Sequence, residues 1–389
     1  MRSLDAFAEE KLRSLEERSL RRALLETERE PRGSARRDGR RVVSFSCNDY
    51  LNLSQHPEVK RAAKDAIDRY GAGAGGSRLI TGNHPLYLAL EEKLARLKGA
   101  EAALVFGSGY LANLGILPSL TGPDDLVLAD ELSHACLLAG AKLSSARTLR
   151  FAHNDTAALA RLLDEERAKH PRCLIVTDGV FSMDGDLAPL PALARLAEEH
   201  DAWLLSDDAH GLGVTGGGRG SAFAFGPEKV PVPLQMGTLS KAAGSYGGYL
   251  CASAPVIELL KSRARTLVYS TGLPPSTVAA SLAALDLIER DPALCARPVE
   301  HARRFASYLG LPAPDSAIVP VVLGSAGAAL RASEALLGGG FLVTAIRPPT
   351  VPEGSARLRF AFTAGHDDDD VERAALLVKE RVLSLRDVG

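Results

Sequence analysis

The chain has 389 residues, of which 46% are hydrophobic and 24% are charged, a composition that is ordinary for a globular protein with ample core. The formal net charge of −2 gives no electrostatic reason to expect binding to nucleic acid or to an anionic membrane surface. No apolar run approaches the roughly 20 residues that a membrane-spanning helix requires. We therefore expect a globular protein with neither nucleic acid nor a membrane as a partner.

The amino-terminal residues 3–28 have the apolar spacing of a helix, and residues 31–41 are typical of a polar loop or hairpin. After Val42, short apolar runs alternate with amphipathic segments. The predicted strands are 102–106, 126–129, 174–176, 203–205 and 249–252, and the predicted helices are 62–70, 111–120, 156–168, 190–200 and 256–265. This alternation predicts an α/β domain with a mostly parallel sheet covered by helices on both faces. Ligands of such sheets bind outside the carboxyl ends of the strands.

A different pattern follows Pro274 and Pro275. After a long helix to residue 290, the predicted helices are 298–309, 329–337 and 369–383, and the predicted strands are 318–323, 343–346 and 357–362. We expect three segments, which are an amino-terminal helix and arm (1–45), a large α/β domain (46–275) and a smaller α+β domain (276–389). The acidic run 367–370 is expected in the first turn of its helix, where the helix dipole favours carboxylates, rather than in a metal site.

The cysteines and the composition of the amino-terminal residues help to predict the cellular compartment of the protein. The first forty residues are rich in arginine but also in acidic residues, which argues against an organelle transit peptide, and they contain no apolar signal-peptide core. The cysteines form no Cys-X-X-Cys pair, and their odd number and apolar surroundings predict reduced, buried thiols. They are Cys47, Cys136, Cys173, Cys251 and Cys295. We expect a cytoplasmic protein.

Two glycine-rich segments could contact an anion. Residues 106–113 follow a predicted strand and open a predicted helix, so glycines there let the backbone approach a phosphate while free N–H groups at the helix start point towards it. Gly109 is a candidate for this phosphate cradle, with Tyr110 beside a cofactor ring, and a plain strand-to-helix turn is the alternative. The run 71–76 follows a predicted helix instead of a strand, which excludes a dinucleotide-binding fingerprint and favours an active-site loop.

Lys241 is the candidate nucleophile. It lies among small residues in the segment 237–244, directly after an apolar run, and a desolvated lysine amine in a cleft can react as a nucleophile. Upstream, another apolar run delivers Asp207 and His210 to the end of a predicted strand. A Schiff-base lysine together with an aspartate for a pyridinium nitrogen is what a pyridoxal-phosphate enzyme requires. Asp207 is the predicted partner of the ring nitrogen, and His210 is that of the phenolic oxygen.

Other interpretations of these residues remain open. A metal site formed by Asp207, Asp208 and His210 is the rival to the cofactor, although it leaves the lysine unexplained. His134, just after a strand at a predicted helix start, is either a polar residue of the first turn or an imidazole stacked on a flat cofactor ring. Ser182, on the loop after a neighbouring strand, is in a position to hydrogen-bond at the same rim.

The combination resembles the α-oxoamine synthases, a family of fold-type I pyridoxal-phosphate enzymes that condense an amino acid with an acyl thioester and release carbon dioxide. The likeness runs from Arg21 to Leu383. The segments that carry it are 47–51 (Cys-Asn-Asp-Tyr-Leu), 132–135 (Leu-Ser-His-Ala), 150–155 (Arg-Phe-Ala-His-Asn-Asp), 179–186 (Gly-Val-Phe-Ser-Met-Asp-Gly-Asp) and 345–352 (Ala-Ile-Arg-Pro-Pro-Thr-Val-Pro). They are most similar to the branch that joins L-alanine to a pimeloyl thioester, giving 8-amino-7-oxononanoate in biotin synthesis.

The resemblance implies a pyridoxal 5'-phosphate-dependent acyltransferase and a role for each matching residue. Lys241 would carry the cofactor, His134 would stack on its ring, and Arg357 would bind the amino-acid carboxylate. The implied cofactor-binding residues are Gly109, Tyr110, Ser182, Asp207, His210, Thr238, Lys241, Ser270 and Thr271, the last two reaching the site from the neighbouring subunit of a homodimer. The implied substrate-binding residues are Arg21, Asn48, His134, Thr350 and Arg357. Two departures are Leu239-Ser240, where relatives often have Phe-Gly, and Asn52 in place of a common glycine.

Three rival functions remain. A related synthase that joins glycine to acetyl- or succinyl-coenzyme A, of the 2-amino-3-ketobutyrate coenzyme A ligase or 5-aminolevulinate synthase type, shares the core and differs in pocket shape. A metal-dependent hydrolase is the rival from another enzyme class. A non-catalytic subunit is disfavoured because Lys241, Asp207 and His210 are all present. Coenzyme A and a carrier protein are both open as the thioester of the acyl donor.

Overall fold

The computed structural model describes residues 2–385, except for the side chain of Arg2. The strands are β1 (Glu28–Arg29), β2 (Ser34–Arg37), β3 (Arg40–Ser44), β4 (Ala102–Phe106), β5 (Leu126–Asp130), β6 (Arg147–Phe151), β7 (Cys173–Asp178), β8 (Trp203–Asp207), β9 (Leu234–Thr238), β10 (Gly248–Ala252), β11 (Ile318–Gly324), β12 (Phe341–Leu342), β13 (Thr344–Ile346) and β14 (Ala356–Ala361). The α-helices are α1 (Arg2–Glu17), α2 (Pro57–Tyr70), α3 (Pro85–Lys98), α4 (Gly109–Leu120), α5 (Ala135–Ser144), α6 (Thr156–Glu166), α7 (Leu190–Glu199), α8 (Ala254–Arg263), α9 (Arg265–Val268), α10 (Pro275–Arg290), α11 (Pro292–Leu309), α12 (Ala326–Gly338) and α13 (Asp368–Arg381). Short 3-10 turns lie at Leu53–Gln55, Arg167–Lys169, Gly216–Gly218, Ser221–Phe223 and Leu383–Leu385.

A seven-stranded sheet forms the centre of the larger compact unit, which comprises Asn48–Val299 and Asp315–Ala317. The strand order is β4-β10-β9-β8-β7-β5-β6, and every pairing is parallel except those that β10 makes with β4 and β9. Successive residues of β5 pack into different hydrophobic clusters, because side chains of a strand alternate between its two faces. One cluster includes residues of α4, α5 and α8, and the other includes residues of α6 and α7. The predicted α/β fold, with a mostly parallel sheet between helices, is confirmed.

The smaller compact unit comprises the described residues up to Cys47, together with Glu300–Pro314 and 318–385. Its antiparallel sheet has the order β11-β14-β13, and a second small sheet has the order β1-β2-β3-β12. The core of this unit is rich in aromatic rings, with Phe45, Phe305, Phe360 and Phe362 all fully buried. The division into segments 1–45, 46–275 and 276–389 stays a prediction, and the two compact units have different bounds.

The sequence pattern missed two strands of the central sheet, β6 and β9. Strand β6 lies at the edge of the sheet and exposes Arg147, Thr148 and Arg150, so its sequence is polar. Strand β9 is fully buried but contains Gln235 and Gly237, which interrupt the apolar run by which a buried strand is identified.

The amino-terminal helix is shorter than predicted. Helix α1 ends at Glu17, and the N–H of Leu20 donates to the carbonyl of Leu15 at 2.7 Å, which closes the last turn. Ser19 takes the left-handed conformation (φ 55°), which interrupts the helix. Leu24, beyond this stop, is fully exposed, so the apolar spacing there does not mark a helical face.

Three smaller predictions concern the acidic run 367–370, the burial of the cysteines and membrane-spanning helices. Helix α13 begins at Asp368 with Asp367 as its N-cap, so the acidic run occupies a helix start as predicted. Four of the five cysteines are buried, and Cys47 is half-buried. Across residues 2–385, no helix is both long enough and apolar enough to cross a bilayer.

Candidate active site

The carboxyl ends of three neighbouring strands meet at one edge of the central sheet. Asp178 ends β7, Asp207 ends β8 and Thr238 ends β9, and the pairing register places Asp178 beside Asp207. A cavity of about 270 Å³ opens at this edge. The residues that line it are Ser108, Gly109, Tyr110, His134, Cys136, Asp178, Asp207, Ala209, His210, Met236, Thr238, Ser240, Lys241 and Tyr246. Seven of the residues predicted from sequence are thus brought together at the edge where the topology predicts a ligand.

Asp207 is a buried carboxylate held by two donors. Its Oδ2 accepts a hydrogen bond from Asn113 Nδ2 at 2.7 Å, and its Oδ1 accepts one from the backbone N–H of Ala209 at 3.0 Å. Asn113 is fully buried and also donates to Cys136 Sγ at 3.1 Å. Burial and the nearby Asp207 charge raise the pKa of the Cys136 thiol to about 12, so Cys136 stays a neutral wall of the cavity.

Asp178 lies beside Asp207 in the sheet, and the two carboxyls influence each other. Burial, followed by the Asp207 charge, raises the pKa of Asp178 well above its usual range, although the backbone N–H of His134 donates to it at 3.0 Å. Both effects favour the protonated form of Asp178 beside Asp207.

His134 is the N-cap of α5, as its predicted position at a helix start requires. Its Nδ1 accepts the backbone N–H of Cys136 at 3.3 Å. Removal of water around the ring lowers the pKa of His134, with Asp207 acting in the opposite sense and Lys241 in the same sense. A neutral imidazole on the cavity wall suits stacking on a flat ring better than an imidazolium would.

Lys241 follows β9 in a tight turn and contacts a chain of polar groups. Its Nζ lies 2.9 Å from His210 Nε2, and His210 Nδ1 lies 2.6 Å from the hydroxyl of Tyr50. His210 and Tyr50 are both buried. The Lys241 amine and the His210 imidazole thus line the cavity, and the buried Tyr50 hydroxyl continues this row of contacts outside the cavity lining.

The start of α4 forms another part of the cavity. Ser108 is its N-cap and accepts the backbone N–H of Leu111 at 3.2 Å. A side chain at Gly109 would place its Cβ 3.2 Å from Met236 Cε and 3.3 Å from Thr238 Cβ, tighter than most such contacts. Glycine therefore keeps the backbone at this helix start accessible from the cavity, where N–H groups can bind an anion.

The remaining predicted residues lie elsewhere. Ser182, Ser270 and Thr271 belong to the larger unit but do not line the described cavity. Asn48 is in the same unit, and its Oδ1 accepts from the Tyr50 hydroxyl at 3.3 Å.

The other three predicted substrate-binding residues belong to the smaller unit. Arg21 pairs with Glu16 on the surface, and Thr350 accepts a hydrogen bond from Arg22. Arg357 is buried in β14.

A metal site is not favoured by the contacts of Asp208. Its Oδ2 lies 2.5 Å from the buried Lys98 ammonium, and its Oδ1 accepts the backbone N–H of Ser221 at 2.9 Å, so both oxygens are already engaged. Within the part of the chain that the structure describes, no group of three or more histidine, cysteine, aspartate or glutamate residues could hold a metal ion.

A second polar cluster involves none of the residues that line the cavity. Nδ1 of His153, two residues after β6, lies 3.0 Å from Asp130 Oδ1, and its Nε2 lies 2.8 Å from Asp186 Oδ2. Burial alone would lower the pKa of His153, but the hydrogen bonds to Asp130 and Asp186 raise it to about 10. A protonated His153 therefore bridges two carboxylates and links the loop after β7 to the end of β5.

A family model for aminotransferase class I and II matches residues 40–376. The chain belongs to this family. Among its relatives, the 8-amino-7-oxononanoate synthase of Beijerinckia indica is 61% identical, over 97% of this chain and 98% of the relative. The enzyme of the same name from Methylocella silvestris is 64% identical, over 89% of this chain and 98% of the relative.

Solved structures give the same family. Serine palmitoyltransferase from S. paucimobilis, with a bound PLP–myriocin aldimine, is 29% identical and has a TM-score of 0.90, with 98% of each chain covered. The 8-amino-7-oxononanoate synthase of Francisella tularensis is 28% identical and has a TM-score of 0.75, over 88% of this chain and 98% of that one. The predicted membership of the α-oxoamine synthases, with greatest similarity to the 8-amino-7-oxononanoate branch, is confirmed.

The cavity fits pyridoxal phosphate, the cofactor of this family. It contains one primary amine, from Lys241, for an aldehyde and the buried carboxyl of Asp207 for a pyridinium nitrogen. The cradle that a Cβ at Gly109 would fill lies at a helix start, where a phosphate is favoured. The volume of about 270 Å³ is near the lower end of small-molecule sites, roughly 300 Å³ upwards.

Sequence reasoning missed several residues of this site. Asp178 gave a usable signal, because it ends an apolar run just as Asp207 does, on a strand predicted to be parallel. Asn113 lies four residues after Gly109, so the two share a face of α4. Tyr50 gave no such signal, because its contact with His210 joins residues 160 positions apart.

Proposed function

We propose that the chain catalyses the pyridoxal-phosphate-dependent, decarboxylative condensation of L-alanine with a pimeloyl thioester, giving 8-amino-7-oxononanoate for biotin synthesis. The observation that carries this proposal is one cavity in which the Lys241 amine contacts His210 and the buried Asp207 carboxylate lies in the same wall. Relatives that are 61% and 64% identical over most of the chain carry the name of this enzyme, which supports the choice of substrates.

Four side chains would hold the cofactor. Lys241 would bind its aldehyde carbon, Asp207 its ring nitrogen and His210 its phenolic oxygen, while His134 would lie against the ring. The helix start at Gly109 would face the phosphate, together with Thr238. When bound, the cofactor supplies an electron sink that stabilises negative charge at the α-carbon of the amino acid.

The proton chemistry belongs to Lys241. Its amine would take the proton from the alanine α-carbon and would later return a proton to that carbon, while the bound cofactor would stabilise the negative charge left there. The amine must be neutral for the first of these steps, and the contact with His210 Nε2 can hold it in place. His134 stays neutral because its surroundings lower its pKa, so it adds no second positive charge beside the amine.

Further residues are assigned to the substrates and the assembly. Arg357 would bind the alanine carboxylate, and Arg21, Asn48 and Thr350 would contact substrate groups. Ser182 would lie near the cofactor. Ser270 and Thr271 would reach the phosphate of the partner subunit in a homodimer. The acyl donor is a thioester of coenzyme A or of a carrier protein, and both can be assayed.

The first test is uptake of cofactor and choice of substrate by the purified protein. We expect pyridoxal phosphate to bind with a visible chromophore that responds to L-alanine, and the largest kcat/KM for L-alanine with a pimeloyl thioester. A larger kcat/KM for glycine with acetyl- or succinyl-coenzyme A would show the related synthase instead. A protein that takes up no cofactor would refute the proposal altogether.

Lys241→Ala tests the assignment of the amine. Loss of a general base lowers turnover by about 10²–10⁴-fold, and here the covalent link is lost with it. The matched control is Lys261→Ala, because Lys261 is half-exposed and its ammonium pairs with Glu258, one turn away on α8. A borohydride-reducible chromophore that survives in Lys241→Ala would show that another amine holds the cofactor.

A further inference from the structure

Two stretches of chain that are far apart in sequence meet beside the start of α3. An isolated antiparallel bridge joins Ser77 to Thr271, and the backbone N–H of Leu273 donates to the Tyr87 hydroxyl at 2.5 Å. A backbone N–H can only donate, so the direction of this hydrogen bond is fixed. Tyr87 is buried and lies in the first turn of α3, so it contacts the segment 270–273 from a helix.

Gly272 brings this segment into close contact with the loop before α3. Its N–H donates to the carbonyl of Gly76 at 2.9 Å. A Cβ at position 272 would lie 2.9 Å from the carbonyl oxygen of Gly82 and 3.3 Å from the Tyr87 hydroxyl. The glycine therefore allows an approach that a side chain would prevent, and the segment packs directly against the loop and the phenol.

Arg78 in turn holds Tyr87. Its guanidinium carbon lies 4.0 Å from the centroid of the Tyr87 ring, within the range of a cation–π contact. The same guanidinium donates to both carboxylate oxygens of Glu91, at 2.6 and 3.1 Å, and to the carbonyl of Val105 at 3.0 Å. The side chains of Arg78 and Glu91 are only 10% and 13% exposed, so solvent screens this ion pair weakly. Arg78 thus anchors the Tyr87 ring and its own neighbour Ser77, and both of these contact the segment 270–273.

We propose that Tyr87, held by Arg78, is a positioning residue that fixes the segment 270–273 for contact with the cofactor phosphate. This use rests on the proposed function, in which Ser270 and Thr271 of one subunit reach the phosphate of the other. The buried Leu273 fixes one end of the segment, while Thr271 is exposed and can face a neighbouring molecule. Tyr87 would therefore act on the site of the partner subunit and not on the site of its own chain.

The first test is amide hydrogen exchange of the purified full chain, followed in peptides that cover residues 270–273. In Tyr87→Phe, exchange in this segment should become about two- to tenfold faster, the factor that corresponds to one net hydrogen bond. The matched control is Tyr249→Phe, because Tyr249 is also buried and its hydroxyl has no hydrogen-bond partner in the part of the chain that the structure describes. Exchange in Tyr87→Phe that matches the control would overturn the proposal.

Arg78→Lys is the second variant, and it keeps the test decisive if Tyr87→Phe fails to fold. A lysine keeps the charge opposite Glu91 but loses the two-pronged contact and the planar stacking on Tyr87, so exchange in the segment should again become faster. The control is Arg69→Lys, because Arg69 also lies over a tyrosine ring, 5.0 Å from the centroid of Tyr70, but is exposed. If the two arginine variants exchange alike, Arg78 does not hold Tyr87 in place and the proposal is wrong.

Mixed dimers test whether Tyr87 acts on the site of the partner. Two chains with different affinity tags are co-expressed, and Lys241→Ala in one of them leaves a single chain that can bind the cofactor covalently. In the first dimer, Lys241→Ala and Tyr87→Phe are in the same chain, so the intact lysine faces the altered segment of its partner. In the second dimer the two substitutions are in different chains, so the intact lysine faces an unaltered segment.

We expect the Kd for pyridoxal phosphate, measured from the visible chromophore, to be about two- to tenfold higher in the first dimer than in the second. A merely structural effect of Tyr87→Phe would instead weaken binding in the chain that carries it, which is the second dimer. A Kd that is equal in the two dimers, or higher in the second, would overturn the role of Tyr87 in the partner's site.

The two tests also separate this proposal from the proposed function. If the unaltered protein takes up no cofactor or forms no dimer, the proposed function fails, and the exchange data still decide whether Tyr87 holds the segment. If exchange becomes faster but the two mixed dimers bind the cofactor alike, Tyr87 orders the segment without serving the partner's phosphate. The functional half of the proposal is then wrong, while turnover by the unaltered protein leaves the proposed reaction in place.

Discussion

Replacing Asn113 with alanine should weaken cofactor binding through Asp207. Asn113 is fully buried, and its amide donates to Asp207 Oδ2 at 2.7 Å, so the change removes a hydrogen bond to a buried carboxylate. Such bonds contribute about 1.5–3 kcal/mol, and the backbone N–H of Ala209 remains as a donor to the other oxygen. This bond is present without the cofactor, so only the part of its energy that depends on a bound pyridinium raises the Kd for pyridoxal phosphate. At 1.4 kcal/mol for each factor of ten, we expect an increase of at most about 10- to 150-fold.

The effect on stability should be visible in the same variant. A loss of 1.5–3 kcal/mol corresponds to a lower unfolding temperature by roughly 3–12 °C for a domain of this size. The assays are thermal unfolding without cofactor and fluorescence titration with pyridoxal phosphate. The control is Ser119→Ala on the same helix, because the Ser119 hydroxyl donates only to the carbonyl of Gly115, one turn earlier, at 2.6 Å.

The two assays together distinguish a role of Asn113 in cofactor binding from a role in stability alone. If Asn113→Ala lowers the unfolding temperature but binds pyridoxal phosphate as tightly as Ser119→Ala does, Asn113 supports only the fold. Asp207 would then bind the ring nitrogen of the cofactor equally well without the hydrogen bond from Asn113. If neither the unfolding temperature nor the Kd changes, the hydrogen bond from Asn113 to Asp207 contributes neither to stability nor to cofactor binding.

Three further outcomes are expected. Gly109→Ala should raise the Kd for pyridoxal phosphate, because its Cβ would meet Met236 and Thr238 within 3.3 Å, whereas Gly338→Ala, with no atom within 4 Å, should not. The folded-state pKa of His153 is raised to about 10, so its stabilising effect is complete below its unfolded pKa of about 6.5 and is lost as pH rises through 10. The unfolding temperature should fall over that interval, and less so in His153→Gln. Asp178→Asn should keep turnover within a few fold, because the raised pKa of Asp178 favours the neutral form that asparagine resembles, while Asp207→Asn should lose about 10²–10³-fold in kcat.

Much of the site follows from one rule about parallel sheets. Apolar runs predicted the strands that end at Asp207 and near Ser182, and the carboxyl ends of parallel strands share one edge. His134 could be placed at a helix start because it follows a buried strand and precedes a helical pattern. These residues are close in sequence to an element that the hydrophobic pattern reveals, so their positions could be predicted.

Contacts that bridge distant parts of the chain could not be predicted in this way. The pairs Tyr50–His210 and Asn113–Asp207 join residues 160 and 94 positions apart, and no local pattern in the sequence connects them. Strand β9 was missed for a related reason, since distant residues accommodate its atypical positions: the Gln235 amide donates to the Lys98 carbonyl at 3.2 Å, and the Tyr249 side chain occupies the space beside Gly237.

The pairing of β7 with β8 explains how one cavity can hold a carboxylate without a second negative charge. The register places Asp178 directly beside Asp207, and two ionised carboxylates in that position would repel each other. Burial raises the pKa of Asp178 and the Asp207 charge raises it further, which favours the protonated form of Asp178. Asp207 accepts hydrogen bonds from the helix and the loop that follow the strands. The two neighbouring carboxyls thus have different partners: Asp207 is the one that a pyridinium nitrogen would face, while Asp178 accepts the backbone N–H of His134 and keeps the cap of α5 in place.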